Sequence, residues 1–140
     1  MIVMRRTVLA ASVAALALFA VPALAAIGGN QVVGKCTKSS AAPAEIILTC
    51  ADAGTYLLGI RWQAFGGATA RGTARFYDNP CDPSCVASKD QVTPVRFTLT
   101  AAKPCPDGVN DYRQMSITFI GKPPKHFGRH YNPKLYCPIP

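Results

Sequence analysis

The sequence predicts an all-β domain. Period-two alternation of apolar and polar side chains recurs in four segments, no segment carries a convincing helical period, and turn formers stand between the alternating runs. A short strand is expected near residues 31–34. The next, residues 45–50, is apolar on both sides and so reads as more fully buried than the rest. In the third, Tyr56, Leu58, Ile60 and Trp62 alternate with Gly59, Arg61 and Gln63, which predicts that the first set faces the core. In the fourth, Ala68, Ala70, Ala74 and Phe76 share one parity while Thr69, Arg71, Thr73 and Arg75 share the other. Val95, Phe97 and Leu99 alternate with Arg96, Thr98 and Thr100 in the fifth, and Met115, Ile117 and Phe119 with Gln114, Ser116 and Thr118 in the sixth. Strands with one apolar face bury it by packing sheet on sheet or by closing into a barrel. The expected architecture is therefore a small antiparallel β-sandwich, or a partly open barrel, of about six to seven strands stapled by disulfides.

Turn chemistry sets one register. Gly66-Gly67 suggests a two-residue hairpin loop, but that loop would set Trp62 opposite Arg71, a core side chain against a solvent one. A three-residue loop that pairs Trp62 with Gly72 restores the match, leaves room for the indole and keeps Arg61 from standing across from Arg71. Residues 78–85 hold turn formers throughout and read as a rigid surface loop, and residues 37–44, rich in Ser, Ala and Pro, as a loop inside the domain. Residues 121–140 contain five prolines among Lys122, Lys125, His126, Arg129, His130 and Lys134, and are expected to lie over the sheets as an extended basic tail tied down by Cys137.

The first residues read as an address, not as fold. Arg5 and Arg6, an apolar run from Thr7 to Val21, and Ala23-Leu24-Ala25 are the parts of a secretory signal peptide, so residues 1–25 are expected to be removed. The apolar run covers about 15 residues, short of the roughly 20 that a spanning helix needs, and Pro22 ends it. Residues 26–140 are then a single secreted β domain of 115 residues, large enough for a modest core. Loss of Arg5 and Arg6 leaves 13 basic residues against 7 acidic ones, a net charge of +6. Such a balance favours polyanionic neighbours: anionic cell-wall polymer, lipid head groups or nucleic acid.

All six cysteines follow the leader, so they are expected to meet an oxidising compartment and to form structural disulfides. Nearest-partner closure pairs Cys36 with Cys50, Cys81 with Cys85 and Cys105 with Cys137; the main rival couples Cys36 and Cys50 crosswise to Cys81 and Cys85. Cys81-x-x-x-Cys85 lacks the second close pair that a zinc site requires, and its spacing excludes a redox Cys-x-x-Cys. His126 and His130, four apart in a proline-rich segment, read as exposed tail residues and not as metal ligands. No histidine stands near a free thiol in the chain, Glu45 is the sole glutamate, and the aspartates lie mainly in turns, so neither nucleophilic nor carboxylate-pair catalysis is expected. The chain reads as a non-enzyme with no cofactor.

The candidate site is cationic. Arg61, Arg71, Arg75 and Arg96 share the outward parity of adjacent strands and are the candidate polyanion-binding patch, gathered on one sheet or divided between two; the plainer reading, a solvated strand face kept soluble by charge, is favoured over it. Only Tyr77 joins them on that parity, which disfavours base stacking and hence nucleic acid. Phe127, Tyr131 and Tyr136 in the tail suit either an anionic ligand or packing against the domain.

At Ile47-Leu-Thr-Cys-Ala-Asp52, Ile60-x-Trp62, Ala70-x-Gly72-Thr73, Asn79-x-Cys81-x-Pro83-x-Cys85 and Pro94-Val-x-Phe-x-Leu99, the chain resembles a family of small secreted actinobacterial Cys-x-Pro-x-Cys β-domain proteins of unknown function. The resemblance covers about residues 36–120, with Val86 in place of the usual alanine, Phe65 in place of a second tryptophan, and Cys105 and Cys137 as additions. It implies an exported β domain and carries no activity. The function expected is that of an envelope-associated structural or binding module with a cationic sheet face. The alternative is a secreted protease inhibitor that presents the loop 79–86.

Overall fold

The computed structural model describes residues 29–33 and 35–139. The signal peptide expected over residues 1–25 lies outside the described residues. Among the described residues eight strands follow in order: β1 (Val32–Val33), β2 (Ser39–Ser40), β3 (Glu45–Ile47), β4 (Thr55–Ala64), β5 (Ala70–Asp78), β6 (Gln91–Pro104), β7 (Asn110–Phe119) and β8 (His130–Tyr131). β3 to β8 form one antiparallel six-stranded sheet in chain order, curled into a half-barrel, and β1 pairs β2 in a separate ribbon. The all-β class is as the alternation predicts, and of its two architectures the curled, partly open one forms in place of two stacked sheets.

The curl buries what the alternation marks. Ala70, Ala74 and Phe76 of β5, Val95, Phe97 and Leu99 of β6, and Met115, Ile117 and Phe119 of β7 all line the packed concave side. Each large side chain taken wholly from water there contributes about 1.5–3 kcal/mol. The domain needs no second sheet because the tail supplies the lid. Phe127 and Tyr131 pack with Phe76 at ring-centroid distances of 5.1 and 6.1 Å, and Phe76 meets Phe119 edge-on at 5.0 Å.

The tail also acts in a way its prolines hid. Instead of only crossing the sheet, it pairs along the free edge of β7: the amides of Met115 and Phe119 donate to the carbonyls of Pro133 and Arg129 at 3.2 and 3.1 Å, and Leu135 donates to Arg113 at 2.9 Å. Proline fits here because an edge partner need not donate at every residue. Residue 31 takes the rest of that edge, its amide donating to Asn110 at 2.8 Å and its carbonyl accepting from Tyr112 at 2.9 Å. An open strand edge is thus covered along most of its length.

The three disulfides pair as nearest-partner closure predicts: Cys36–Cys50, Cys81–Cys85 and Cys105–Cys137. The first ties the β1–β2 turn to the segment after β3, the second closes the β5–β6 loop, and the third pins the tail to the β6–β7 turn. Trp62 stands opposite Gly72, as turn parity requires. A Cβ at residue 72 would lie 2.6 Å from the Arg61 carbonyl oxygen and 3.1 Å from the Phe97 ring, so the position admits only glycine without rearrangement.

The sequence reading changes in several places. β3 ends at Ile47, lies at the sheet edge and buries only Ile46, so the strand expected over residues 45–50 is shorter and is not more fully buried than the rest. The β4–β5 loop spans residues 65–69 instead of three residues, because the register shifts between Trp62 and Ala64, and Ala68, expected on the core parity, is exposed in it. In β4 the register shifts between Leu58 and Arg61, at Gly59, whose φ is +65°. This bulge reverses the face: Thr55 and Leu57 are buried on its near side, Ile60 and Trp62 pack inward on its far side, and Tyr56 and Leu58, expected in the core, turn outward. In β6 and β7 the pair Ala102–Tyr112 joins the core although Thr100 and Gln114, two residues away, face solvent; the change falls at Ala101, φ +55°.

Candidate polyanion-binding face

The convex side of the sheet is built from the outward positions of β4 to β7, and strand pairing arranges them in rows. Arg61, Thr73, Arg96 and Thr118 stand side by side across the four strands. Arg71 and Arg75 lie two positions either side of Thr73 on β5. With strands about 4.8 Å apart and side chains of one face about 7 Å apart along a strand, each of the four arginines stands within about 7 Å of Thr73 and the farthest two, Arg71 and Arg75, about 14 Å from each other. All four are exposed. The four arginines therefore share one sheet and are not divided between two.

Among the described residues the ion pair found is Lys35 with Glu45, 3.6 Å apart on the ribbon side, and no carboxylate lies within 4.0 Å of these guanidinium groups. Arginine in such a setting offers planar, permanently charged forks to phosphate or carboxylate oxygens.

The next rows differ in character. Leu58, Arg75 and Pro94 are neighbours, and Ile120 joins them through its amide, which donates to the Pro94 carbonyl at 2.9 Å. Beyond them come Tyr56, Tyr77 and Val92. The two tyrosine rings stack at 4.8 Å with an angle of 5° between planes, and the Tyr56 hydroxyl donates to Asp90 at 3.1 Å. Burial and then that carboxylate push the Tyr56 phenol above its ordinary value. A groove of about 560 Å³ lies between the rows, lined by Arg61 and Thr73 from one row and by Leu58, Arg75, Pro94 and Ile120 from the next. Gly59 opens it: a Cβ there would meet nothing within 4 Å. Sequence reasoning missed Tyr56 and Leu58 on this face because parity was counted straight through Gly59, and a glycine inside a strand pattern is the signal that could have corrected it.

The remaining candidates are placed as follows. His126 and His130 are exposed on the tail, His130 Nδ1 lying 3.2 Å from Thr118 Oγ1. Among the described residues no group of three His, Cys, Asp or Glu side chains converges to hold a metal ion. Loop 79–86 is braced by Asn79, whose Nδ2 donates to the Cys85 carbonyl at 3.0 Å and whose Oδ1 accepts from the Cys81 amide at 2.9 Å. The Ser88 amide then donates to the Ser84 carbonyl at 2.8 Å, closing one helical turn with Val86 at its tip, 98 % exposed. Of the tail aromatics, Phe127 and Tyr131 go to the core while Tyr136 stays exposed.

One polar group went unnoticed in the sequence. Asp111 is buried at the start of β7, where Oδ2 accepts from Ser39 Oγ at 2.6 Å and Oδ1 has no partner. Burial holds its carboxyl above the ordinary value, against the opposing Ser39 hydrogen bond.

Comparison with protein-family models, with curated proteins and with solved structures finds no match. Fold and face therefore carry the functional argument by themselves. They define a small, disulfide-stapled all-β domain with a cationic convex surface. Three disulfides are compatible with an extracellular location, and among the described residues no helix is long and apolar enough to cross a membrane.

Proposed function

We propose that this protein is an exported, non-enzymatic module of the bacterial envelope that holds anionic polymer or lipid head groups against the outer face of β4 to β6. The observation that carries the reading is the cluster of Arg61, Arg71, Arg75 and Arg96 around Thr73, free of carboxylate partners among the described residues. A face kept soluble by charge alone intersperses both signs, and this one carries a single sign over four neighbouring positions. The leader-like residues 1–25, the disulfides and the resemblance to secreted actinobacterial β domains support the location.

Pull-down on isolated cell envelope at increasing salt tests the reading. Binding should weaken steeply with ionic strength and be lost in the Arg71→Glu, Arg75→Glu double variant. Envelope binding that the double variant retains overturns it. The inhibitor reading finds less support, because a protease cleft takes an extended segment and residues 84–88 are wound into a turn. Stoichiometric inhibition of subtilisin or trypsin would reinstate it.

A further inference from the structure

The arginine cluster alone would suit any soluble polyanion, but the convex face is not uniformly charged. Aliphatic side chains on the same face stay partly exposed: Leu58 is 41 % exposed, Val92 47 % and Ile120 51 %. They come from three different strands or strand ends, and pairing brings them together, Leu58 next to Arg75, Arg75 next to Pro94, and Pro94 bonded to Ile120. The stacked Tyr56–Tyr77 pair closes the row beyond. A soluble polymer of sugar and phosphate gains nothing from three exposed aliphatic groups, whereas a lipid surface gains from both halves: basic side chains meet phosphates, aliphatic ones enter the acyl boundary, and tyrosines sit at head-group depth.

From this charge and apolar complementarity we infer that the convex face is a docking site for an anionic phospholipid surface, with lipid phosphate in the groove between Arg61 and Arg75 and with Leu58, Val92 and Ile120 in contact with the acyl boundary. The inference rests on the cationic-face reading and names its partner. Gly59 matters to it twice, since its bulge turns Leu58 outward and its missing side chain leaves the groove open.

Co-sedimentation of the oxidised protein with vesicles of phosphatidylglycerol in phosphatidylcholine, beside vesicles of phosphatidylcholine alone, tests it. Binding should require the anionic lipid. Arg61→Glu with Arg75→Glu should weaken vesicle binding by at least about 25-fold, since each basic residue at an anionic surface contributes about 1 kcal/mol. Leu58→Ser with Ile120→Ser should weaken vesicle binding about tenfold and leave binding to lipid-free wall polymer unchanged. Lys103→Glu, seven residues along β6 from Arg96 and outside the groove, should change neither. Circular dichroism confirms that each variant is folded, and Val92→Ser carries the apolar arm if the double variant is not. Vesicle affinity unchanged by the serine variants, or equal for both vesicle types, overturns the inference. Binding to wall polymer without vesicle binding overturns it while the cationic-face reading stands, and binding to neither overturns both.

Discussion

The two flanks of β5 are paired in different ways. Toward β6 the register runs unbroken from Ala70↔Leu99 to Asp78↔Gln91, nine successive pairs, and every inward residue of β5 from Ala70 to Asp78 is buried. Toward β4 the register shifts twice, between Leu58 and Arg61 and between Trp62 and Ala64. The unbroken flank builds the core; the broken one shapes the surface, turning Tyr56 and Leu58 outward and opening the groove beside the arginines. A regular ladder spends its side chains symmetrically on two faces, and a bulge is what lets one strand serve the core at both ends while exposing a chosen pair.

That contrast can be broken from the core side first. Phe97→Ala, on the unbroken flank, removes a buried ring that packs edge-on against Trp62 at 5.2 Å and should cost about 4 kcal/mol in urea unfolding. Gly72→Ala, opposite it, should cost about 2 kcal/mol, because its Cβ would press on the Arg61 carbonyl and the Phe97 ring. The two costs should not add, since the alanine at residue 97 vacates part of the space that the one at residue 72 needs. Gly59→Ala tests the broken flank, where a Cβ meets nothing and only the positive φ resists it, so about 1 kcal/mol is expected. A cost as large as that of Gly72→Ala would mean that the bulge supports the core as well as the surface.

The smallest effect is a pH dependence at the far end of β7. Burial raises the Asp111 carboxyl above its unfolded value, so the native state holds the proton more tightly and stability falls as pH rises from the ordinary carboxylate value through the folded one. Melting temperature followed from about pH 3 to about pH 7 should show that decline in the wild type and lose it in Asp111→Asn. An unchanged decline in the variant would assign it to another group.

How far the chain could be read without its structure follows the same divide. Strands β5 to β7 were legible because Phe76, Phe97, Ile117 and their neighbours keep strict period two over a face that is buried throughout. The disulfides follow the favoured of the two pairings that the sequence offered, in which each cysteine takes its nearest available partner, at separations of 14, 4 and 32 residues. Of the candidate site, all four arginines were placed on the outward face, and half of their setting was lost when parity was carried across Gly59. β2 and β8 were not legible at all: Ser39–Ser40 and His130–Tyr131 have no alternation to show, and each is a strand only because an edge lies beside it.

The amino-acid order alone determined the class and the sign of the exposed face, since these depend on local periodicity and composition, whereas the choice between the two sulfur pairings fell to the structure. Which residues of the tail entered the core, where the face of β4 reversed, and that a buried Asp111 would keep an unpartnered oxygen were decided only when distant segments met. Those outcomes depend on which edge and which cavity the rest of the fold leaves open, and no local pattern carries that information.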